Sequence, residues 1–137
     1  MATVTTEWGA GMTFNSEVGN HRVIMDSDSA FGGKERGPRP QMLVLSALNG
    51  CTGMDVVSIL KKMRVRPDSF RIIANAGIAE EHPKVFTKIH LIYEFKGKDL
   101  PLDKLQKAVA LSQERYCSVS IMLSKVCPLT YEIKAIE

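Results

Sequence analysis

The stretch between Pro40 and Pro67 constrains the fold more than any other part of the chain. Pro40 suits the first turn of a helix and Pro67 cannot continue one, so the spacing predicts a helix from about Pro40 to Arg64. In its first half Met42, Leu43, Val44, Leu45, Ala47 and Leu48 go nearly all the way round, which predicts burial on most sides. A helix buried so fully needs protein all around it. Ser46, Asn49, Thr52, Asp55 and Ser58 interrupt the apolar run, which argues against a membrane span. Gly50 and Gly53 bracket Cys51 in the middle of this helix, each at a cost of about 1 kcal/mol relative to alanine. Two such residues around one thiol predict either close approach of another backbone or a small ligand to the sulfur, or a tight helix crossing around a buried cysteine.

The flanking segments read as strands and a second helix. Thr3–Trp8, Met12–Asn15 and Arg22–Asp26 are short strands joined by glycine turns, a β-meander, followed by a Gly- and Pro-rich loop over 27–39. Phe70–Ile78 and Val85–Lys96 alternate apolar and polar residues around a Glu80-Glu81-His82-Pro83 turn, as in a hairpin with one buried face. Residues 101–117 place Leu102, Leu105, Val109, Ser112 and Tyr116 at helical spacing, and the stripe continues through Val119 and Leu123 to Val126 with an interruption near Cys117. Pro128 stops that helix, and Leu129–Ile136 is the last strand. The order βββ-α-ββ-α-β predicts an α+β fold, one domain over residues 1–137.

Composition removes several functions. A net charge of +3 is too mild for nucleic-acid binding, and the cluster Lys61-Lys62-Met63-Arg64-Val65-Arg66 sits where cations complement a helix C-terminus. The N-terminus has no basic and apolar pattern of an export signal, and 3 cysteines without one predict reduced or transiently oxidised thiols in the cytoplasm. His21, His82 and His90 show no paired ligand spacing and no Cys-x-x-Cys exists, so no metal or cofactor is expected. Gly32-Gly33-Lys34 lacks the rest of a phosphate loop, and Cys127, next to Pro128, reads as a small apolar residue at a helix end.

The run Gly37–Arg64 resembles the central helix of the OsmC/Ohr family, the osmotically inducible and organic hydroperoxide resistance proteins, and Ala110–Leu123 is similar to that family's second cysteine helix. Asp55–Leu60 and Tyr116–Val119 look like its YhfA-like branch. The resemblance implies antiparallel sheets packed on two long helices in an intertwined homodimer, with sites at the subunit interface. It also implies a peroxidase in which Cys51 attacks an organic hydroperoxide and Cys117 resolves the product as a disulfide, with a dithiol, such as a lipoylated protein, as reductant. Leu48, Met54 and Val119 are the expected pocket lining. Peroxidase members activate the first thiol with an arginine from the first hairpin, held by a glutamate at the start of the central helix. Here Gln41 stands at the glutamate position and Trp8–Phe14 contains no arginine, leaving Arg22, Arg36 and Arg39 as substitutes. A neutral Gln41 cannot hold a guanidinium by a charged bidentate pair. The departure favours a second function, a weakly reactive protein that binds a small apolar ligand; the retained cysteines favour the peroxidase.

Overall fold

A computed structural model describes all residues, Met1–Glu137. The chain divides into two compact units, Met1–Ser46 and Ala47–Glu137, with the boundary inside the long helix.

In the first unit, β1 (Thr5–Trp8), β2 (Phe14–Val18) and β3 (His21–Met25) form an antiparallel meander in the order β1-β2-β3. β2 extends further than its apolar residues suggest, because Glu17 and Val18 pair with Arg22 and His21 across a tight turn at Gly19, whose φ of 61° favours glycine. The following loop is tied down by Asp26, which is almost wholly buried. Its carboxylate accepts from the Thr13 hydroxyl (2.9 Å), Ser27 N–H (2.8 Å) and Arg36 N–H (3.3 Å).

α1 (Pro40–Lys62) begins at the expected proline. It ends with Arg64 in the left-handed region (φ 60°) and Val65 N–H returning to Leu60 C=O at 2.9 Å, a Schellman closure made without glycine. Within the chain α1 buries one stripe, Leu48, Thr52, Val56 and Leu60, at four-residue spacing. Met42, Val44, Met54 and Val57 stay exposed, so the burial on most sides expected from the sequence is not met by this chain alone. By length and mean hydropathy (1.6) α1 is also apolar enough to cross a membrane, as are many core helices of soluble proteins. Its central polar residues, however, are hydrogen-bonded to other elements of the same chain.

The second unit holds the sheet of β4 (Ser69–Ile78), β5 (Phe86–Lys96) and β6 (Leu129–Ile136), with β5 central. β4 and β5 form the expected antiparallel hairpin, but β6 joins β5 in parallel, so this sheet is mixed rather than antiparallel. The reason is topological: the helices between β5 and β6 return the chain to the starting end of β5, as any parallel connection requires. Phe86, Ile89, Leu91, Tyr93 and Phe95 are all buried. The three-residue step from Phe86 to Ile89 is absorbed by a bulge, since Gly77 pairs with Lys88 and Ile78 with Phe86, leaving Thr87 unpaired. A Cβ on Gly77 would lie 2.6 Å from Thr87 Oγ1, which is why this position takes glycine. Phe70 stacks on Phe95 at 4.4 Å between ring centroids, and Tyr93 meets Tyr131 edge-on at 6.0 Å.

α2 (Leu102–Leu111) buries Leu105, Ala108 and Val109. A π-helical turn follows over Ser112–Tyr116, then α3 (Ser118–Ser124). The sequence stripe therefore splits: Ser112 is fully buried, whereas Tyr116 and Val126 are exposed, because the π turn and the break at Cys117 rotate later residues off the face set by Leu105 and Val109.

Candidate active site

α1 presents Cys51 and Asp55 one turn apart on one face. Opposite them, the π turn closes with Cys117 N–H on Ser112 C=O at 2.8 Å, a wider ring than an α-helix makes. Cys117 then leaves helical conformation (φ −77°, ψ 101°) and caps α3, its sulfur accepting from Ser120 N–H at 3.3 Å. The Cys51 sulfur, the Cys117 sulfur and an Asp55 carboxylate oxygen lie within 4.8 Å of one another, and the Ser118 hydroxyl is 3.9 Å from the Cys51 sulfur. All three cysteines are free thiols; Cys51 is half-buried and Cys117 wholly buried.

The two thiols are driven in opposite directions. Burial pushes Cys51 up, but hydrogen bonds from Val119 N–H, the Cys117 thiol and the Ser118 hydroxyl outweigh it, and the nearby Asp55 charge pushes back only in part. Cys51 thus lies below the ordinary thiol range. Burial also raises Cys117; its bonds from Ser120 offset this only partly, and proximity to Cys51 raises it further. The pair consists of one thiol lowered from its ordinary value and a second, raised, that donates to it.

Behind the sulfurs runs a buried polar network that sequence reasoning missed. Thr52 Oγ1 lies 2.6 Å from Tyr93 OH and 2.7 Å from Ser112 Oγ, which donates to Asp55 Oδ2 at 3.0 Å. Gln113 Nε2 donates to Tyr93 OH (2.6 Å) and Thr52 Oγ1 (3.3 Å). Thr52, Tyr93 and Ser112 have no exposed surface, and burial pushes the Tyr93 phenol up to about 12 against the hydrogen bonds it makes. Asp55 at helical spacing from Cys51 and a serine on the apolar stripe of α2 were the available signals. The network ties α1, β5 and the π turn together where the two cysteines face each other.

The other predicted site residues belong to the first unit. Gln41 is half-buried in the first turn of α1, and Arg22, Arg36 and Arg39 are exposed residues of the first unit. Arg22 pairs in register with Glu17, Arg39 is salt-bridged to Asp28, and the Arg36 backbone serves Asp26. A Cβ on Gly50 would meet no atom of the chain; at Gly53 it would lie 3.3 Å from Ile72 Cδ1. Within this chain the one close approach to these glycines is the Ile72 side chain at Gly53. Of the expected lining, Leu48 is core, Val119 is half-buried and donates its N–H to Cys51, and Met54 is exposed.

The family model described as OsmC-like protein matches residues 32–132, across the boundary between the two units. The chain belongs to the OsmC-like family. It is 36% identical to Protein YhfA of Escherichia coli (strain K12) over 131 residues, 95% of each chain. A hypothetical protein from Aquifex aeolicus VF5 superimposes with a TM-score of 0.84 at 31% identity, covering 100% of this chain and 98% of that one. The organic hydroperoxide resistance protein OhrB of Bacillus subtilis shares the fold, with a TM-score of 0.68, 21% identity and 98% coverage of both chains. Neighbours of this OsmC-like chain thus include hydroperoxide resistance proteins.

Proposed function

We propose that this OsmC-like chain is a cytoplasmic, thiol-dependent peroxidase that reduces organic hydroperoxides, with Cys51 as nucleophile and Cys117 as resolving thiol. The observation that carries the reading is the pair itself: two free sulfurs within 4.8 Å, one below and one above the ordinary thiol range. Only a thiolate attacks peroxide oxygen. The Cys51 thiolate forms an S–O bond to the terminal oxygen as the O–O bond breaks, and the departing alkoxide takes a proton to become an alcohol. Cys117 then attacks the sulfenic sulfur; the S–S bond forms as the S–O bond breaks, and the departing hydroxide takes up the proton that the Cys117 thiol gave up and leaves as water. A dithiol reductant, such as a lipoylated protein, returns both thiols by exchange.

The peroxidase works as a homodimer on this reading. Met54 is 76% exposed and Val57 55% exposed on α1, and Met42 and Val44 are open as well, an apolar surface that a second copy would cover. Sedimentation at micromolar concentration should find no folded monomer.

Oxidation by tert-butyl or cumene hydroperoxide followed by peptide mapping tests the chemistry. A Cys51–Cys117 disulfide is expected, with hydrogen peroxide less effective, and Cys117→Ser should leave Cys51 as a sulfenic acid. A Cys117–Cys127 link, or no disulfide, overturns the two-cysteine mechanism. Gln41 in place of a carboxylate favours the other reading, a weakly reactive protein that binds a small apolar ligand. Oxidation of Cys51 no faster than that of a free thiol would select it.

A further inference from the structure

We propose that the reduced chain binds a divalent cation of borderline softness, Zn²⁺ above all, through the sulfurs of Cys51 and Cys117 and the carboxylate of Asp55. The inference stands on geometry and does not require the peroxidase reading. The three donor atoms lie within 4.8 Å of one another. Zinc held by thiolate sulfur at about 2.3 Å and carboxylate oxygen at about 2.1 Å needs donors roughly 3.5–4 Å apart, so a contraction of about 1 Å suffices. The donor set of two sulfurs and one oxygen suits zinc better than magnesium or calcium. The expectation of no metal rested on motif spacing, which these ligands lack: Cys51 and Asp55 share a helix face, and Cys117 arrives at the cap of another helix.

Neighbouring groups already orient these donors. Ser112 Oγ donates to Asp55 Oδ2 at 3.0 Å, which fixes the carboxylate, and Ser120 N–H holds the Cys117 sulfur at 3.3 Å. Asp55 also lines a cleft of about 320 Å³ with Ser58, Ile59, Lys62, Leu111 and Tyr116, so this donor is open to solvent, and Cys51 is only half-buried. Three protein ligands with an open position make an exchangeable site rather than a closed structural one. Binding breaks two S–H bonds, forms two metal–sulfur bonds and releases two protons, with no electron transferred. While the ion is held, the two sulfurs cannot join as a disulfide.

The test uses the full chain, reduced, stripped of metal and free of peroxide. Zn²⁺ is titrated against a chromophoric chelator, and Co²⁺ is added as a spectroscopic stand-in whose thiolate charge-transfer bands report sulfur ligation. One ion per chain is expected, abolished in Cys51→Ser and Cys117→Ser and weakened on the order of 10- to 100-fold in Asp55→Asn and Ser112→Ala. In the unaltered chain, Zn²⁺ should slow alkylation of Cys51, a measurement that needs no variant to fold. Absence of binding, binding that survives loss of both cysteines, an unchanged Asp55→Asn affinity, or one ion per two chains overturns the site. A peroxidase assay in chelator is scored separately: a chain inert to hydroperoxides that binds Zn²⁺ keeps this inference, and an active peroxidase that binds none sinks it alone.

Discussion

Replacing Tyr93 with phenylalanine separates the loss of a hydrogen bond from a proton effect. The phenol is wholly buried and raised from 10.0 to about 12, first by burial, with nearby Cys117 and Tyr131 adding to it. An acid whose folded value is raised contributes stability that is fully present below its unfolded value and is lost as pH rises through the folded one. The window is therefore pH 10.0 to about 12. A two-unit difference corresponds to about 2.7 kcal/mol in full, of which about 1.4 kcal/mol is lost by pH 11. At pH 8 the variant lacks the bonds of the phenol to Thr52 and Gln113, both at 2.6 Å, but leaves those partners bonded to each other at 3.3 Å. That loss should cost about 1–2 kcal/mol. Urea denaturation of both proteins from pH 8 to 12 should give stability curves that cross near about pH 11, the variant being more stable beyond. A constant difference across that range would show that Tyr93 is not held neutral by the fold and would refute the buried network as its environment.

Leu105 is fully buried on α2, so Leu105→Ala should lose about 2–5 kcal/mol by denaturant titration, with the slope unchanged. Burial raises Asp26, but the bonds from Ser27, Thr13 and the Arg36 and Lys34 backbones prevail, and its carboxyl lies below 3.8. Its contribution is present above 3.8 and lost as pH falls through the folded value, so Asp26→Asn should destabilise the chain at neutral pH and flatten the acid limb of thermal unfolding. Ser118→Ala removes one of the donors to Cys51 and should raise that thiol, shifting the pH profile of its alkylation in chelator to higher pH; an unmoved profile would discard the hydroxyl as an activator.

What could be read from the sequence were the features that repeat along a single element. The alternation of Ile89, Leu91, Tyr93 and Phe95 marks one face of β5 whatever it pairs with, and Pro40 and Pro67 bracket α1 through local backbone rules. The parallel partner of β6 carries no such mark, because its direction is decided by the helices that precede it. The π turn is likewise silent: Ser112 and Tyr116 fit a regular helical stripe, yet across the wider turn Ser112 is buried against Thr52 while Tyr116 is exposed. Thr52 itself sits on the buried stripe of α1, where its hydroxyl is tolerated because Tyr93 and Ser112 satisfy it.

The missing arginine and glutamate then take on a different meaning. The donors that lower Cys51 are the Val119 N–H, the Cys117 thiol and the Ser118 hydroxyl, all from consecutive residues at the entry to α3 and none of them a cation. Asp55, fixed by Ser112, opposes them. Neutral donors stabilise a thiolate only while they stay aimed at it, so the lowering of Cys51 depends on the geometry of residues 117–119. One of these is the second cysteine, whose own sulfur caps the helix through Ser120. Any reaction that pulls the Cys117 sulfur onto Cys51, or onto a metal, must disturb that cap and the donors beside it. On the proposed peroxidase reading, the reactivity of the first thiol and the position of the second are therefore coupled through residues 117–119.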